Sequence, residues 1–303
     1  MNAERLWTFD AVCAGQRGPR TEVAVRAPDI VEYARLSRSE AQCYRTPQPL
    51  AMPTMILSVA PLAREAIAAA NGYIAYEQSR TARRQTPFTK CEIRWRAPIL
   101  AGDTIAADRS VLRKYQRRGS NFVTFRVMAR NQHGRPVGDY DYTCIFDYAG
   151  PPKHGPAARA AQSGPASSRP LGTLRVTETQ QTIDDRDAFA LSGPREIASN
   201  IHTDPEFAKT GIFGGTVNSG PATMAYVCAL LERYFPPRTF YDGGRLTLRA
   251  TAPFHAGDTV EFEARASNAA GGRTVCAVTG RNQHGRLVCV ADARLTADTP
   301  HTV

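Results

Sequence analysis

Apolar residues in the second half of the chain predict one long helix followed by four strands. Within residues 221–235 they recur at helical spacing, which places five side chains on one face: Met224, Val227, Cys228, Leu231 and Phe235. Pro221 suits the first helical turn, and Asn218 or Ser219 can cap it. The next four segments alternate apolar and polar residues and are rich in Val, Leu and Thr, which is typical of strands: RLTLRATAPF, DTVEFEARAS, RTVCAVTGRN and RLVCVADARL.

The first half follows the same order. Its pattern predicts a helix near residues 53–70 that Pro61 kinks. Four alternating segments follow that helix: KCEIRWRAP, DTIAADRSVL, NFVTFRVMARN and VGDYDYTCIFDY. A long helix against an antiparallel sheet is a layered α+β arrangement, and we expect one such layer pair in each half.

Two short sequences occur twice in the chain, in the same order. APILAGDT at 97–104 recurs as APFHAGDT at 252–259, and RNQHGRPV at 130–137 recurs as RNQHGRLV at 281–288. Their spacing indicates duplication of one domain. Both sequences lie between predicted strands, so His133 and His284 are interpreted as turn residues.

The duplication divides the chain into two domains, 1–149 and 173–303. The segment 150–172 between them is rich in Gly, Pro, Ala and Ser, which predicts a linker. A length of 303 residues with 42% hydrophobic and 22% charged residues fits two globular domains.

Composition narrows the classes of function. The seven cysteines form no CxxC pair and no apolar leader precedes them, so we expect reduced thiols and neither a disulfide framework nor a metal site. The chain has no apolar run long enough to span a membrane, and we expect a soluble, cytoplasmic protein. The net charge of +10 is spread over scattered Arg and Lys residues without a nucleic-acid-binding motif. It therefore favours a small or acidic partner, such as coenzyme A or an acyl-carrier protein, over nucleic acid.

The sequence SNIHTDPEFAKTGIFGGTVNSGPATM at 199–224 resembles the signature of MaoC-like hydratases and dehydratases. In that family an N-P-(I/L)-H-x-D-x-x-x-A segment leads into a Gly-rich turn and the central helix. Seven residues match these features: Ile201, His202, Asp204, Ala208, Gly214, Gly215 and Gly220. The resemblance implies two fused hot-dog domains, a pseudo-dimeric double hot-dog in which two long helices lie side by side against a continuous sheet.

The resemblance also implies a chemistry and a site. The expected enzyme is a hydro-lyase of fatty acid or polyketide metabolism. It would need no cofactor and would act on an enoyl or 3-hydroxyacyl thioester of coenzyme A or a carrier protein. His202 is the expected acid–base group, because imidazole titrates near neutrality. The Gly220 amide, at the start of the predicted helix, is the expected donor to the thioester oxygen.

Other residues near His202 have two readings each. Asn218 and Ser219 are helix caps or substrate contacts, and Asp204 orients the loop or contacts substrate. The family usually has an aspartate five residues before the histidine, where this chain has Ile197. Glu196 and Asn200 are the candidates to replace it.

The first domain departs further from the family pattern. Its matching region, 35–55, contains no histidine, and Ala51 aligns with Gly220. We therefore expect a non-catalytic domain that supplies the partner helix and part of a substrate tunnel.

The altered loop before His202 leaves other functions open. One is a specialised natural-product enzyme that performs a cyclisation or an unusual elimination. Another is a hot-dog thioesterase, for which Glu232 is the only acid within 221–235. A third is a non-catalytic acyl-binding module. The sequence also leaves open whether the fused pair associates into a homodimer of double hot-dogs.

Overall fold

The computed structural model describes residues 4–148, 168–190 and 200–296. Within them, ten antiparallel strands form one sheet. The first half contributes β1 (Thr21–Ala24), β2 (Phe88–Trp95), β3 (Thr104–Arg117), β4 (Ser120–Arg130) and β5 (Pro136–Asp147). The second half contributes β6 (Arg169–Thr177), β7 (Arg245–Ala250), β8 (Thr259–Ala269), β9 (Arg273–Asn282) and β10 (Leu287–Thr296).

The strand order shows the duplication directly. It runs β1-β3-β4-β5-β2 through the first half and β7-β10-β9-β8-β6 through the second. The second half thus repeats the order of the first in reverse, as an approximate twofold axis between β2 and β7 requires. These two strands join the halves, with Ile93 opposite Leu246. The predicted α+β class is confirmed.

In the part of the chain that the structure describes, seven α-helices accompany the sheet: α1 (Ala27–Leu36), α2 (Ile56–Val59), α3 (Arg64–Ala70), α4 (Gln180–Ala190), α5 (Pro205–Thr210), α6 (Gly220–Glu232) and α7 (Arg238–Tyr241). Helix α6 is the long helix predicted from the second half, and it packs on β2, β6 and β8. Its residues from Ala222 to Leu231 are all buried, so no face of this stretch meets solvent. A helix that lies between a sheet and a neighbouring domain is apolar all round for this reason. Among the described residues, no helix combines the length and the apolar character needed to cross a membrane.

The single kinked helix predicted over 53–70 is wrong. A 3₁₀ turn at Pro53–Met55 leads into α2, the chain leaves helical geometry at Ala60, and α3 begins four residues later. Pro61 has no amide proton, and its ring clashes with the carbonyl one turn earlier, so the helix stops here rather than bends. Ala63 adopts a φ of 46°, which turns the chain before α3.

The two duplicated sequences contact each other in each half. The Gln132 amide donates to Asp103 at 3.1 Å, and Gln283 donates to Asp258 at 2.8 Å. Each Gln also accepts a hydrogen bond from the backbone of the strand after the AGDT turn. The two sequences therefore recur together because they form one interlocked pair of turns. His133 and His284 lie exposed in these turns, which confirms the prediction that they are turn residues.

One hydrophobic core runs through both halves. The same buried cluster contains Met55 and Ile93 from the first half and Met224 and Leu246 from the second. Polar contacts also cross between the halves: the Tyr241 hydroxyl donates to the Ala51 carbonyl at 2.6 Å. All seven cysteines are free.

The predicted linker ends earlier than its composition suggested. Strand β6 begins at Arg169, inside the segment 150–172, and Arg169 pairs with Ala266 of β8. The alternation of apolar and polar residues in RPLGTLRVT is weak because the segment contains Pro and Gly, so the strand was not predicted from the sequence. The rest of the predicted linker lies outside the described residues.

Candidate active site

A cavity of about 340 Å³ lies between the two halves. The first half lines it with residues of α1, the α2–α3 region and β5, and the second half with α4, His202 and the start of α6. Two chain segments that are far apart in sequence therefore form one site. The expectation that the first domain supplies part of the substrate tunnel fits this arrangement.

His202 lies in the wall of this cavity. Its Nδ1 is 2.7 Å from the carbonyl oxygen of Val217, and since a carbonyl only accepts, Nδ1 carries the proton. The other ring nitrogen, Nε2, then holds the lone pair. Burial lowers the pKa of His202, and the Val217 hydrogen bond opposes this. The imidazole is therefore neutral near pH 7, the state that a general base requires.

Three hydrogen bonds fix the His202 loop. The Asn200 side-chain oxygen accepts from the amides of His202 at 2.7 Å and Thr203 at 3.1 Å. The Gln180 side chain, at the start of α4, donates to the His202 carbonyl at 2.8 Å. Asn200 is absent from the described lining of the cavity, and its acceptor oxygen is committed to the loop backbone. These contacts place the predicted catalytic candidate Asn200 in a positioning role.

The other predicted site residues divide into caps and cavity residues. Asp204 accepts from the Phe207 amide at 3.0 Å and caps α5, away from the described cavity lining. Ser219 accepts from the Ala222 amide at 3.3 Å, which caps α6, and it also lines the cavity. Asn218 lines the cavity as well, and its amide donates to Thr223 at 3.2 Å. The candidate Glu196 lies outside the described residues.

Gly220 is the first residue of α6 and is itself absent from the described cavity lining, although Ser219 and Pro221 on either side of it line the cavity. A Cβ at this position would come within 2.3 Å of the Phe88 ring, so only glycine permits the present packing. The Gly220 amide, in the first turn of the helix, has no acceptor within the described part of the chain. Close packing and an unpaired amide are thus both present at Gly220.

A family model described as "MaoC like domain" matches residues 170–286. This range contains β6, the His202 loop, α6 and most of the second half of the sheet. The second half of the chain is therefore similar to MaoC-like domains.

Solved structures extend the likeness over both halves. A MaoC-like dehydratase matches with a TM-score of 0.71 at 14% identity, over 94% of this chain and 99% of that chain. Rv0216 of Mycobacterium tuberculosis, described as a double hot-dog fold, matches with a TM-score of 0.59 at 17% identity, over 96% and 98%. The double hot-dog fold is therefore confirmed.

The fold alone does not separate a lyase from a thioesterase. A protein assigned as an oleoyl thioesterase from Lactobacillus plantarum also matches, with a TM-score of 0.55 at 12% identity over 92% of this chain and 95% of that chain. A comparison with curated protein sequences found no match.

One face of α4, in the second half, was not predicted from the sequence to belong to the site. Four residues at helical spacing line the cavity: Ile183, Arg186, Asp187 and Ala190. The negative charge of Asp187 favours the protonated form of His202 and so opposes the fall in its pKa. The spacing is visible in the sequence, but an Arg and an Asp on this face make it resemble a solvated helix surface.

The second half also buries a carboxylate, Glu178, that was not predicted as a site residue. Glu178 is fully buried and accepts hydrogen bonds from the Tyr226 hydroxyl and, at 2.6 Å, from Thr182. Arg186 lies 3.5 Å from Glu178, donates to Tyr226 at 2.7 Å, and also reaches the Leu36 carbonyl of the first half. The network fixes α4 against α6 and the end of α1. Tyr226 is both buried and part of this network.

Glu232 does not meet the cavity. Its carboxyl accepts hydrogen bonds from Tyr44 and, at 3.0 Å, from Ser39, both in the first half. It is also absent from the described lining of the cavity. The one acid of the long helix is therefore engaged in holding the two halves together.

Proposed function

We propose that the protein is a hydro-lyase that interconverts a 2-enoyl thioester and its 3-hydroxyacyl thioester. The observation that carries the proposal is the position of His202. It lines the cavity together with Ser219 and Pro221 at the start of α6, with Nδ1–H committed to Val217 and Nε2 left to accept a proton.

In the hydration direction, His202 acts as the base. Its Nε2 takes a proton from a water molecule as the water oxygen forms a bond to C3 of the enoyl group. The C2–C3 double bond becomes single, and negative charge moves toward the thioester oxygen. The imidazolium then delivers its proton to C2, which restores the neutral base. Dehydration is the same path in reverse.

The Gly220 amide is the proposed donor to the thioester oxygen. An N–H in the first turn of a helix has no intrahelical acceptor, and the helix dipole favours negative charge there. A preorganised donor of this kind lowers the barrier because charge develops on the oxygen in the transition state.

Asp187 is the proposed substitute for the carboxylate that the family usually places five residues before the histidine. It lines the same cavity on α4, and its charge acts on His202 in the direction that stabilises an imidazolium. It would hold the attacking water and balance the charge that forms on the ring during the reaction.

The thioester carrier is either coenzyme A or an acyl-carrier protein. Both are anionic, and the net charge of +10 favours either one. The phosphopantetheine arm that they share is the part that would enter the cavity with the acyl group.

The test is incubation with a panel of 2-enoyl-CoA thioesters while enoyl absorbance and free thiol are followed together. Loss of absorbance without thiol supports the lyase. Thiol release instead supports a thioesterase, and binding without either signal supports a non-catalytic module or a different reaction. The last two outcomes each contradict the proposal.

A further inference from the structure

The cavity wall that the first half provides contains polar as well as apolar side chains. Besides apolar residues it presents Tyr142 of β5, Arg64 of α3, Ser58 of α2 and Ser37, just after α1. A pocket for a plain alkyl chain is lined mainly by apolar side chains, with polar groups placed where the ligand has polar atoms. The polar residues of this wall therefore indicate that the part of the ligand in contact with them contains polar atoms.

Tyr142 is the best placed of these polar groups. Its ring packs on Phe88 with centroids 5.0 Å apart, and Phe88 in turn lies against Gly220. The Tyr142 ring is thus one aromatic ring away from the start of α6. Burial raises the pKa of the phenol, so its hydroxyl stays protonated and remains a donor.

The hydroxyl of Tyr142 has no hydrogen-bond partner within the described part of the chain, unlike that of its neighbour on the same strand. Tyr140, two residues earlier and also in the cavity wall, donates to the Ala60 carbonyl at 2.6 Å. A donor that faces a cavity without an acceptor loses its hydrogen bond to water when a ligand fills that cavity. A ligand oxygen at Tyr142 removes this loss.

The surroundings of Arg64 indicate which kind of ligand oxygen can bind at Tyr142. Its guanidinium donates to the Thr86 carbonyl at 2.7 Å and to Cys144 at 3.2 Å, and it pairs with Glu77 at 3.3 Å. The charge of Arg64 is therefore already balanced by a carboxylate, and Glu65 adds another acid to the cavity wall. This wall offers a neutral donor without excess positive charge, which favours a neutral oxygen over a carboxylate.

The cavity volume limits the size of the acyl group. About 340 Å³ lies near the lower end of the range for ligand sites, roughly 300–1,000 Å³. A short acyl group fits this volume better than a long one.

We propose that the natural substrate is a short acyl thioester with a keto or hydroxyl oxygen beyond C3, and that Tyr142 binds this oxygen. The inference rests on the proposed function, because His202 and Gly220 fix the thioester end and so direct the rest of the chain toward the first half. It makes the second half the reacting half and the first half the one that selects the acyl group.

The experiment compares two matched substrates, the pantetheine thioesters of 2-hexenoate and 5-oxo-2-hexenoate. We expect kcat/KM to be about tenfold higher for the oxo substrate, the effect of one good hydrogen bond. Tyr142→Phe should bring the ratio of the two kcat/KM values close to one. The control Tyr140→Phe also removes a phenol hydroxyl from the same strand and should keep the wild-type ratio.

A second measurement separates this inference from the proposed reaction. Calorimetry gives the Kd of the amide analogues of hexanoyl and 5-oxohexanoyl pantetheine, which cannot be hydrated or hydrolysed. Preference for the oxo analogue that disappears in Tyr142→Phe supports the inference even if no enoyl thioester turns over. Equal affinity for both analogues, or a preference that Tyr142→Phe leaves intact, overturns it.

Discussion

The two halves of the molecule have the same strand order, but they differ at the point where each half enters its helix. The second half enters α6 at Gly220 and runs without a break to Glu232, with His202 in the preceding loop. The first half passes through a 3₁₀ turn and two short helices separated at Pro61. The turns that hold the strands are nearly identical in the two copies, whereas the segments that form the cavity are not. In the proposed function, the second half carries the reacting group and the first half shapes the part of the cavity that receives the acyl group.

Removing His202 should have the largest effect, because it deletes the group that distinguishes the halves. We expect His202→Ala to lower kcat by about 10²- to 10⁴-fold, the usual contribution of a general base, with little change in Tm. His284→Ala, in an exposed turn of the same domain, is the matched control and should keep full activity. Near-normal turnover by His202→Ala would place the chemistry elsewhere.

The cross-half carboxyl Glu232 should make stability depend on pH. Burial raises its pKa from 4.5 to about 7. The folded protein therefore binds this proton more tightly than the unfolded chain does, so the stabilisation is complete below about pH 4.5 and is lost as pH rises through 7. The loss amounts to about 3 kcal/mol.

Glu232→Gln tests this dependence by chemical denaturation at pH 5 and pH 8. Between pH 5 and pH 8, the free energy of unfolding should fall less for the variant than for the wild type, because the variant lacks the contribution of the Glu232 carboxyl. Glu261→Gln, an exposed acid on β8, should keep the wild-type dependence. Parallel pH profiles for the wild type and Glu232→Gln would contradict the prediction.

Gly220→Ala should destabilise the contact between the halves. The added Cβ would meet the Phe88 ring at 2.3 Å, and such overpacking costs about 1–3 kcal/mol. Combination with Phe88→Leu should recover part of the lost stability because it removes the ring. Additive losses in the double variant would show that the two residues do not meet.

Asp187→Asn should have a smaller effect on activity. It removes the negative charge of the side chain but keeps its size, so it tests the charge alone. Since the carboxylate raises the pKa of His202, its loss lowers that pKa further, and the acid limb of the kcat/KM profile should move to lower pH. Asp185→Asn, on the same helix but not in the described cavity lining, should leave the limb in place. If the acid limb is unchanged in Asp187→Asn, Asp187 has no part in the proposed mechanism.

Local patterns in the sequence were enough for part of this picture. Helix α6 and the repeated turns follow from local spacing, because hydrophobic period and turn chemistry decide those structures. The His202 loop was found through the resemblance of residues 199–224 to the MaoC-like signature. The structure confirms helix α6 and the repeated turns, and the family model covers the range that contains the His202 loop.

The remaining features depend on contacts between distant segments. Asp187 and Arg186 look like surface residues until α4 is placed over the cavity, and Tyr142 becomes a candidate only when β5 faces His202's domain. The break at Pro61 was predicted as a kink because periodicity continues on both sides of it. The start of strand β6 was assigned to the linker because its Pro and Gly are typical of linkers. Only its pairing with β8 shows that it is a strand.

The junction of β2 with β7 has a consequence for any attempt to shorten this protein. Each half expressed alone would leave the backbone N–H and C=O groups of that strand unpaired, an edge that invites aggregation or self-association. It would also open the shared core to water along Met55, Met224 and their neighbours. We therefore expect the halves to fold productively only together, so that a truncated chain carrying His202 should be recovered either as an aggregate or as a symmetric pair with two altered cavities.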